Sequence, residues 1–403
     1  MAIIPFQPTD PAQRLELLDA LRGFALAGVL LSNLLVFTQF AYLDDAGRAA
    51  LPSAGLDRVL EPALNLLVTG KFLTLFSLLF GVGFALQMQR ADDDADPTSR
   101  RRRRYLRRLA VLLVIGLAHA WLWWGDILRY YALLGLLLLP LQRLSTRALA
   151  VLGAVLAVVP HPLFAQLFAA AGPALASQEQ AHAAALAAFG DTRWPPMLHG
   201  NRVFGQWWMA KHWGLACTVA GCLLVGAALG RSGVLRDPAA HPRFWRRLRL
   251  ALPLGLLLAV GLTLSAYGRL PSPAAGADGG IARMGLRMLH DAATMLLGLG
   301  YLAGFAWLFG RARWRRGLQW LAPVGRMALS NYLLQTLAGI ALFYGVGLGW
   351  GPRWGLPGLL AAWAAVFAAQ VALSHAWLAR FRFGPAEWAW RSVTYGRRQP
   401  LRR

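Results

Sequence analysis

His119 and Asp126 stand seven residues apart in the run Gly116-Leu117-Ala118-His119-Ala120-Trp121-Leu122-Trp123-Trp124-Gly125-Asp126-Ile127-Leu128. An imidazole held near a carboxylate in apolar surroundings is what general-base chemistry requires. On one unbroken helix the two would share roughly one face but lie ~10 Å apart along the axis, beyond hydrogen-bond reach. Gly125 is the residue expected to break the helix and bring Asp126 back toward His119. The plainer alternatives are a helix-to-helix hydrogen bond for His119 and an ion pair with Arg129 for Asp126.

Other polar residues fall inside apolar runs, where each is a functional candidate because lipid makes it expensive. Arg22 follows Asp19, and Asn33 lies eleven residues further on, close to three helical turns, so Arg22 and Asn33 share a face. Snorkelling by Arg22 and helix-to-helix bonding by Asn33 are the plainer roles. Lys71 opens the apolar run 70–81, where it suits an anion, a carboxylate or an interfacial anchor. His290 and Asp291 are adjacent, so they face different ways on a helix, with Arg283 and Arg287 nearby for local ion pairs. Asn331 and Gln335, four apart, stack on one face. Glu387 and Arg391 belong to an amphipathic tail, 383–396, read as a surface helix anchored by Trp388 and Trp390. The chain has no P-loop, dinucleotide fingerprint, zinc spacing or GxSxG elbow, and no metal is expected. Cys217 and Cys222 are five apart and face differently on a helix, which disfavours a disulfide or metal pair.

The elements that must position these residues are apolar runs of about twenty residues, the length that carries a helix across a ~30 Å hydrocarbon core. The runs are continuous rather than alternating, so they read as helices and not barrel strands. Ten spans are predicted, near 20–42, 72–89, 108–124, 127–142, 148–170, 212–230, 249–267, 286–309, 326–346 and 356–378. The predicted fold is therefore an all-α polytopic membrane bundle. It forms one unit over 1–403, with an N-terminal part (1–230) holding His119 and Asp126 and a C-terminal part (231–403). With the N-terminus inside, the inner loops 1–22, 90–108, 143–147, 231–249, 310–326 and 380–403 hold 30 of the 41 basic residues. The positive-inside rule then places both termini in the cytoplasm. The net charge of +23 sits in loops rather than on one folded face, so no nucleic-acid partner is expected. Residues 56–68 suit a short helix on the membrane surface. No internal repeat stands out, which weakens a transporter reading.

Five segments together resemble the YeiB-like family of bacterial inner-membrane proteins, which carry domain of unknown function 418. They are Leu18-Asp19-Ala20-Leu21-Arg22-Gly23-Phe24-Ala25, then 70–81, 119–128, 325–335 and 384–396, in the expected order over nearly the whole chain. That family is similar to the transmembrane acyltransferases, among them the lysosomal heparan-glucosaminide acetyltransferases and the bacterial acyltransferase-3 proteins. These move an acyl group from a cytoplasmic thioester to an acceptor across the membrane, using a membrane-embedded histidine. The histidine of acyltransferase-3 proteins lies on the first span, where this chain has Asn33 and no histidine. The role given to His119 therefore comes from the residues around it.

The resemblance implies a multi-pass acyltransferase with acyl-coenzyme A as donor, and membrane lipids and an unidentified acceptor as partners. Donor phosphates would lie near Arg22 and Arg326, since arginine suits phosphate geometrically. Asn331 and Gln335 would line the route of the pantetheine arm, and Asn33 and Lys71 are further substrate-binding candidates. His119 would serve as general base or transient acyl carrier, oriented by Asp126. His290, Asp291, Glu387 and Arg391 are secondary candidates. The rival function is a transporter or flippase of a small or lipidic solute, using the same buried groups. The sequence leaves homo-oligomerisation open.

Overall fold

The computed structural model describes residues 11–89, 98–164, 175–235, 238, 240–266 and 279–403. Parts of five expected segments, 1–10, 90–97, 165–170, 236–237 with 239, and 267, lie outside the described residues. The helices in chain order begin with α1 (Pro11–Phe37), α2 (Asp45–Ala49), α3 (Ala54–Leu67), α4 (Lys71–Gln89) and α5 (Thr98–Leu122). They continue with α6 (Leu128–Gly135), α7 (Leu138–Leu141), α8 (Thr146–Val158), α9 (Gln178–Gly190), α10 (Trp194–His212) and α11 (Leu215–Arg231). The C-terminal part has α12 (Pro242–Arg249), α13 (Ala251–Ala266), α14 (Gly279–Phe309), α15 (Ala312–Gln319) and α16 (Ala322–Arg326). It ends with α17 (Ala328–Phe343), α18 (Gly355–Arg380) and α19 (Pro385–Tyr395). The described residues contain no strand beyond one isolated bridge, Phe381 with Arg402.

Seven helices or near-continuous helix pairs are long and apolar enough to cross a membrane: 16–37, 54–88, 102–122, 146–164, 242–266, 280–309 and 351–380. The pair α10 and α11, bent by 70° at a short break, makes an eighth if taken as one span. Their outward faces carry bare apolar side chains such as Val151, Leu254 and Leu257, which water would penalise and lipid tails accept. At the centre is α11, whose residues 219–230 are all buried. It meets α4 through two glycines. A Cβ at Gly226 would overlap the Leu78 carbonyl, and one at Gly81 the Leu223 carbonyl. With no hydrophobic drive between helices in lipid, such backbone-to-backbone packing supplies the cohesion.

Three expected elements differ in detail. The segment 127–142 is broken into α6 and α7, because the chain tightens into i→i−3 hydrogen bonds, Leu136 N–H to Leu133 and Leu137 N–H to Leu134. The Tyr105 hydroxyl also donates to the Gly135 carbonyl at 2.9 Å, holding the end of α6 against α5. The segment 326–346 becomes the 16-residue α17, shorter than the roughly 20 residues a full crossing takes. Residues 56–68, expected to lie on the membrane surface, instead lead almost straight into α4. Asp57 anchors that helix to the start of α18, accepting from the Leu356 N–H at 2.8 Å and the Ser53 hydroxyl at 2.8 Å. The tail forms α19 as expected. Its Trp390 anchors to protein, donating its indole N–H to the Arg108 carbonyl at 2.9 Å.

Candidate functional site

α5 ends at Leu122, and the chain turns at 123–127 before α6 begins. The turn is held by one side chain from α10. Asn201 accepts from the Trp124 N–H at 2.5 Å and donates to the Ala120 and Trp121 carbonyls at 3.2 and 3.0 Å, which α5 leaves unpaired at its C-terminus. The start of α6 lies so close to α5 that a Cβ at Gly116 would sit 2.6 Å from the Arg129 nitrogen. Asp126 then caps α6, its carboxylate accepting from the Arg129 N–H at 2.9 Å and the Leu128 N–H at 3.3 Å.

This hairpin puts Asp126 Oδ2 2.7 Å from His119 Nδ1. A carboxylate only accepts, so Nδ1 carries a proton, and in the neutral imidazole Nε2 then presents its lone pair. At Nε2, 2.8 Å away, is the hydroxyl of Thr336 from the middle of α17. Three groups from three parts of the chain thus form one hydrogen-bonded line, carboxylate to imidazole to hydroxyl. All are buried: Asp126 is 3%, His119 5% and Thr336 1% exposed. The Arg129 guanidinium stands 3.9 Å from Asp126, so the ion-pair role and the orienting role coexist. Tyr332, one turn before Thr336, closes the other side of the imidazole with ring centroids 5.0 Å apart. Its hydroxyl donates to the Gly125 carbonyl at 3.4 Å.

α17 carries three further buried polar side chains, Ser330, Asn331 and Gln335. Asn331 donates to the Val324 carbonyl at 3.1 Å and the Ser374 hydroxyl at 3.0 Å. Gln335 donates to Gln370 at 3.0 Å and to the Leu26 carbonyl at 3.4 Å, and Gln370 returns to the Asn331 carbonyl at 2.9 Å. Glu387 of α19 caps the helix, accepting from the Leu329 and Ser330 N–H groups at 2.7 and 3.1 Å and from the Ser330 hydroxyl at 2.5 Å. Burial pushes the Glu387 carboxyl above the usual carboxylate range, against the pull of those donors.

The other candidates are not brought to His119. Arg22 pairs with Asp19 at 3.0 Å, near the arginine-rich end of the bundle. Arg326 is exposed and lies within the field of the same Asp19. Arg108, which the sequence places in the basic inner loop 90–108 with a topological role, joins this end: its guanidinium bonds Gln87 at 3.1 Å and covers the Trp390 ring at 4.2 Å. Arg391 is exposed, its guanidinium stacked 4.6 Å from the Phe383 ring. Asn33 is half-buried on α1. Lys71 is fully buried and donates to the Asn65 carbonyl at 2.7 Å, not to a carboxylate. Asp291 bonds His161 of the preceding bundle segment at 3.0 Å rather than a local arginine, and His290 is exposed. No cluster of three metal-ligating side chains occurs among the described residues.

At the end of α5 away from its arginines is a cleft of about 480 Å³, with Trp121, Trp124, Arg129, Asn201 and Arg202 in its wall. Arg129 and Trp124 separate it from the buried line. Thr336 and Asn201 escaped the sequence reading. Thr336 lies one residue past the polar run that ends at Gln335, and a lone hydroxyl in an apolar helix ordinarily bonds its own backbone. Asn201 sits in a stretch rich in Trp, where only the turn geometry reveals its use.

Residues 229–397 match the family described as "Protein of unknown function (DUF418)". The uncharacterized protein YxaH of Bacillus subtilis is 30% identical over 98% of both chains. The uncharacterized protein YeiB of Escherichia coli is 33% identical over 94% of this chain and 95% of its own. No solved structure matches. The chain belongs, on this near-full-length similarity, to the YeiB-like DUF418 family.

Proposed function

We propose that this chain is an acyltransferase of the bacterial inner membrane that moves an acyl group from cytoplasmic acyl-coenzyme A to an acceptor at the outer face. The observation that carries this reading is the buried line Asp126–His119–Thr336, a base with its orienting carboxylate on one side and a hydroxyl on the other. The arginine-rich end supports a cytoplasmic donor mouth. There Arg22 and Arg108 flank successive turns of α4, beside Gly83 and Gln87, and phosphates suit guanidinium pairs. The cleft beyond Trp124 and Arg129 suits the acceptor. The test is thioester consumption. Purified protein given acyl-coenzyme A should release free coenzyme A, faster when the acceptor pool of a membrane extract is added. No release above the uncatalysed rate with short or long acyl chains would sink the reading.

The transporter or flippase reading has one observation of its own. The side-chain oxygens of Asn331 and Gln335 are buried and take no hydrogen bond among the described residues, as a solute-binding site would require. Counterflow from proteoliposomes without thioester consumption would favour it.

The same proposal includes ten crossings with both termini in the cytoplasm, for which the arginine distribution speaks. A reporter fused after Arg403 should then be cytoplasmic and one inserted near Ser177 periplasmic. Both on one side would overturn the ten-span arrangement.

A further inference from the structure

We propose that Thr336 is the nucleophile of the transfer, so that the acyl group passes through a covalent ester on its hydroxyl oxygen. The inference rests on the acyl-transfer reading and adds the covalent step. A hydroxyl is a weak nucleophile until a base lies within hydrogen-bond reach and a third group orients that base. Thr336 Oγ1, His119 and Asp126 meet both conditions, at 2.8 and 2.7 Å.

The hydroxyl of Thr336 is spent on a side chain and not on its own helix. Several helical hydroxyls here bond the carbonyl four residues back, Ser77 on Leu73, Thr263 on Ala259 and Thr394 on Trp390, while Ser330 donates to the Glu387 carboxylate. Thr336 forgoes that bond, and its hydrogen bond goes to the imidazole. Because Nδ1 holds the proton given to Asp126, the Thr336 proton points at Nε2. Beside them, Trp123 packs its ring 5.8 Å from the His119 ring. Its buried indole N–H faces the buried hydroxyl of Tyr344, which lies across Phe37 from it.

Thr336 Oγ1 attacks the thioester carbonyl carbon while its proton moves to His119 Nε2. The carbon–sulfur bond breaks, and the coenzyme A sulfur takes that proton. His119, neutral again, removes a proton from the acceptor hydroxyl. The acceptor oxygen attacks the ester carbon, the bond to Thr336 breaks, and Oγ1 recovers a proton from His119. A covalent carrier also answers a geometric need. All three groups are buried, and with the acyl group held on Oγ1 the donor can leave before the acceptor enters.

The test uses purified full-length protein with acyl-labelled acetyl- and hexadecanoyl-coenzyme A and no acceptor. One label per chain is expected on the peptide holding Thr336, as an oxygen ester stable to neutral hydroxylamine. Thr336→Val should lose the label and at least about 10³-fold in thioester turnover, with donor binding kept. Thr336→Ser should keep the label, and Thr336→Cys should carry it as a hydroxylamine-labile thioester, which identifies the site even if the valine variant folds poorly. Label on His119, no label despite thioester consumption, or wild-type turnover by folded Thr336→Val overturns the threonine intermediate and leaves the acyltransferase standing. No thioester consumption by the wild type removes both.

Discussion

His119→Ala should abolish acyl transfer while the protein stays inserted and monodisperse. The imidazole is the one base in the buried line, and a positioned base is worth about 10²–10⁴ in rate. Its loss also frees Thr336 from the acceptor of its proton, so an effect at or above the top of that range is expected. Folding should suffer far less. Asp126 keeps the Leu128 and Arg129 N–H donors and the nearby Arg129 guanidinium, and alanine suits a helix. Asp126→Asn should cost less than His119→Ala, because the base remains but loses the charge that fixes its tautomer. The readout is turnover and Tm on the same purified variant. Wild-type turnover with a lowered Tm would make His119 a packing residue and remove the mechanism's base.

Gly116→Ala should damage both stability and turnover, although the residue touches no substrate. Its Cβ would lie 2.6 Å from the Arg129 nitrogen and 3.1 Å from the Arg129 Cα, and backbone cannot rotate away as a side chain can. The overpacking costs about 1–3 kcal/mol. It also pushes α6 off α5, and with it Asp126 away from His119, since a single ångström of misplacement costs on the order of 10²-fold. Gly304→Ala, with nothing within 4 Å of its Cβ, is the matched control and should be neutral or slightly stabilising through helix propensity. Equal behaviour of the two variants would show that the hairpin tolerates displacement and that its tightness does not set the site.

The sequence by itself determined the class of fold. Apolar runs of span length and arginine-rich loops are local signals, carried by composition and readable without any contact. It also picked out His119, Asp126, Asn331 and Gln335, because a polar group in an apolar run is costly wherever the run ends up. What it left undecided depends on separation along the chain. On a straight helix His119 and Asp126 are about 10 Å apart, and only the turn at 123–127, clasped by Asn201 from α10, closes the gap to 2.7 Å. Thr336 joins them across 217 residues, a pairing no spacing rule can announce. Conversely, Lys71, Asp291 and Arg391 look alike in sequence to a functional charge. The structure gives Lys71 a carbonyl, Asp291 the imidazole of His161, and Arg391 an aromatic ring. Local chemistry told which residues are expensive to bury. Tertiary packing alone decided which of them share the cost, because that depends on where the helices break and which backbones approach closely enough to touch.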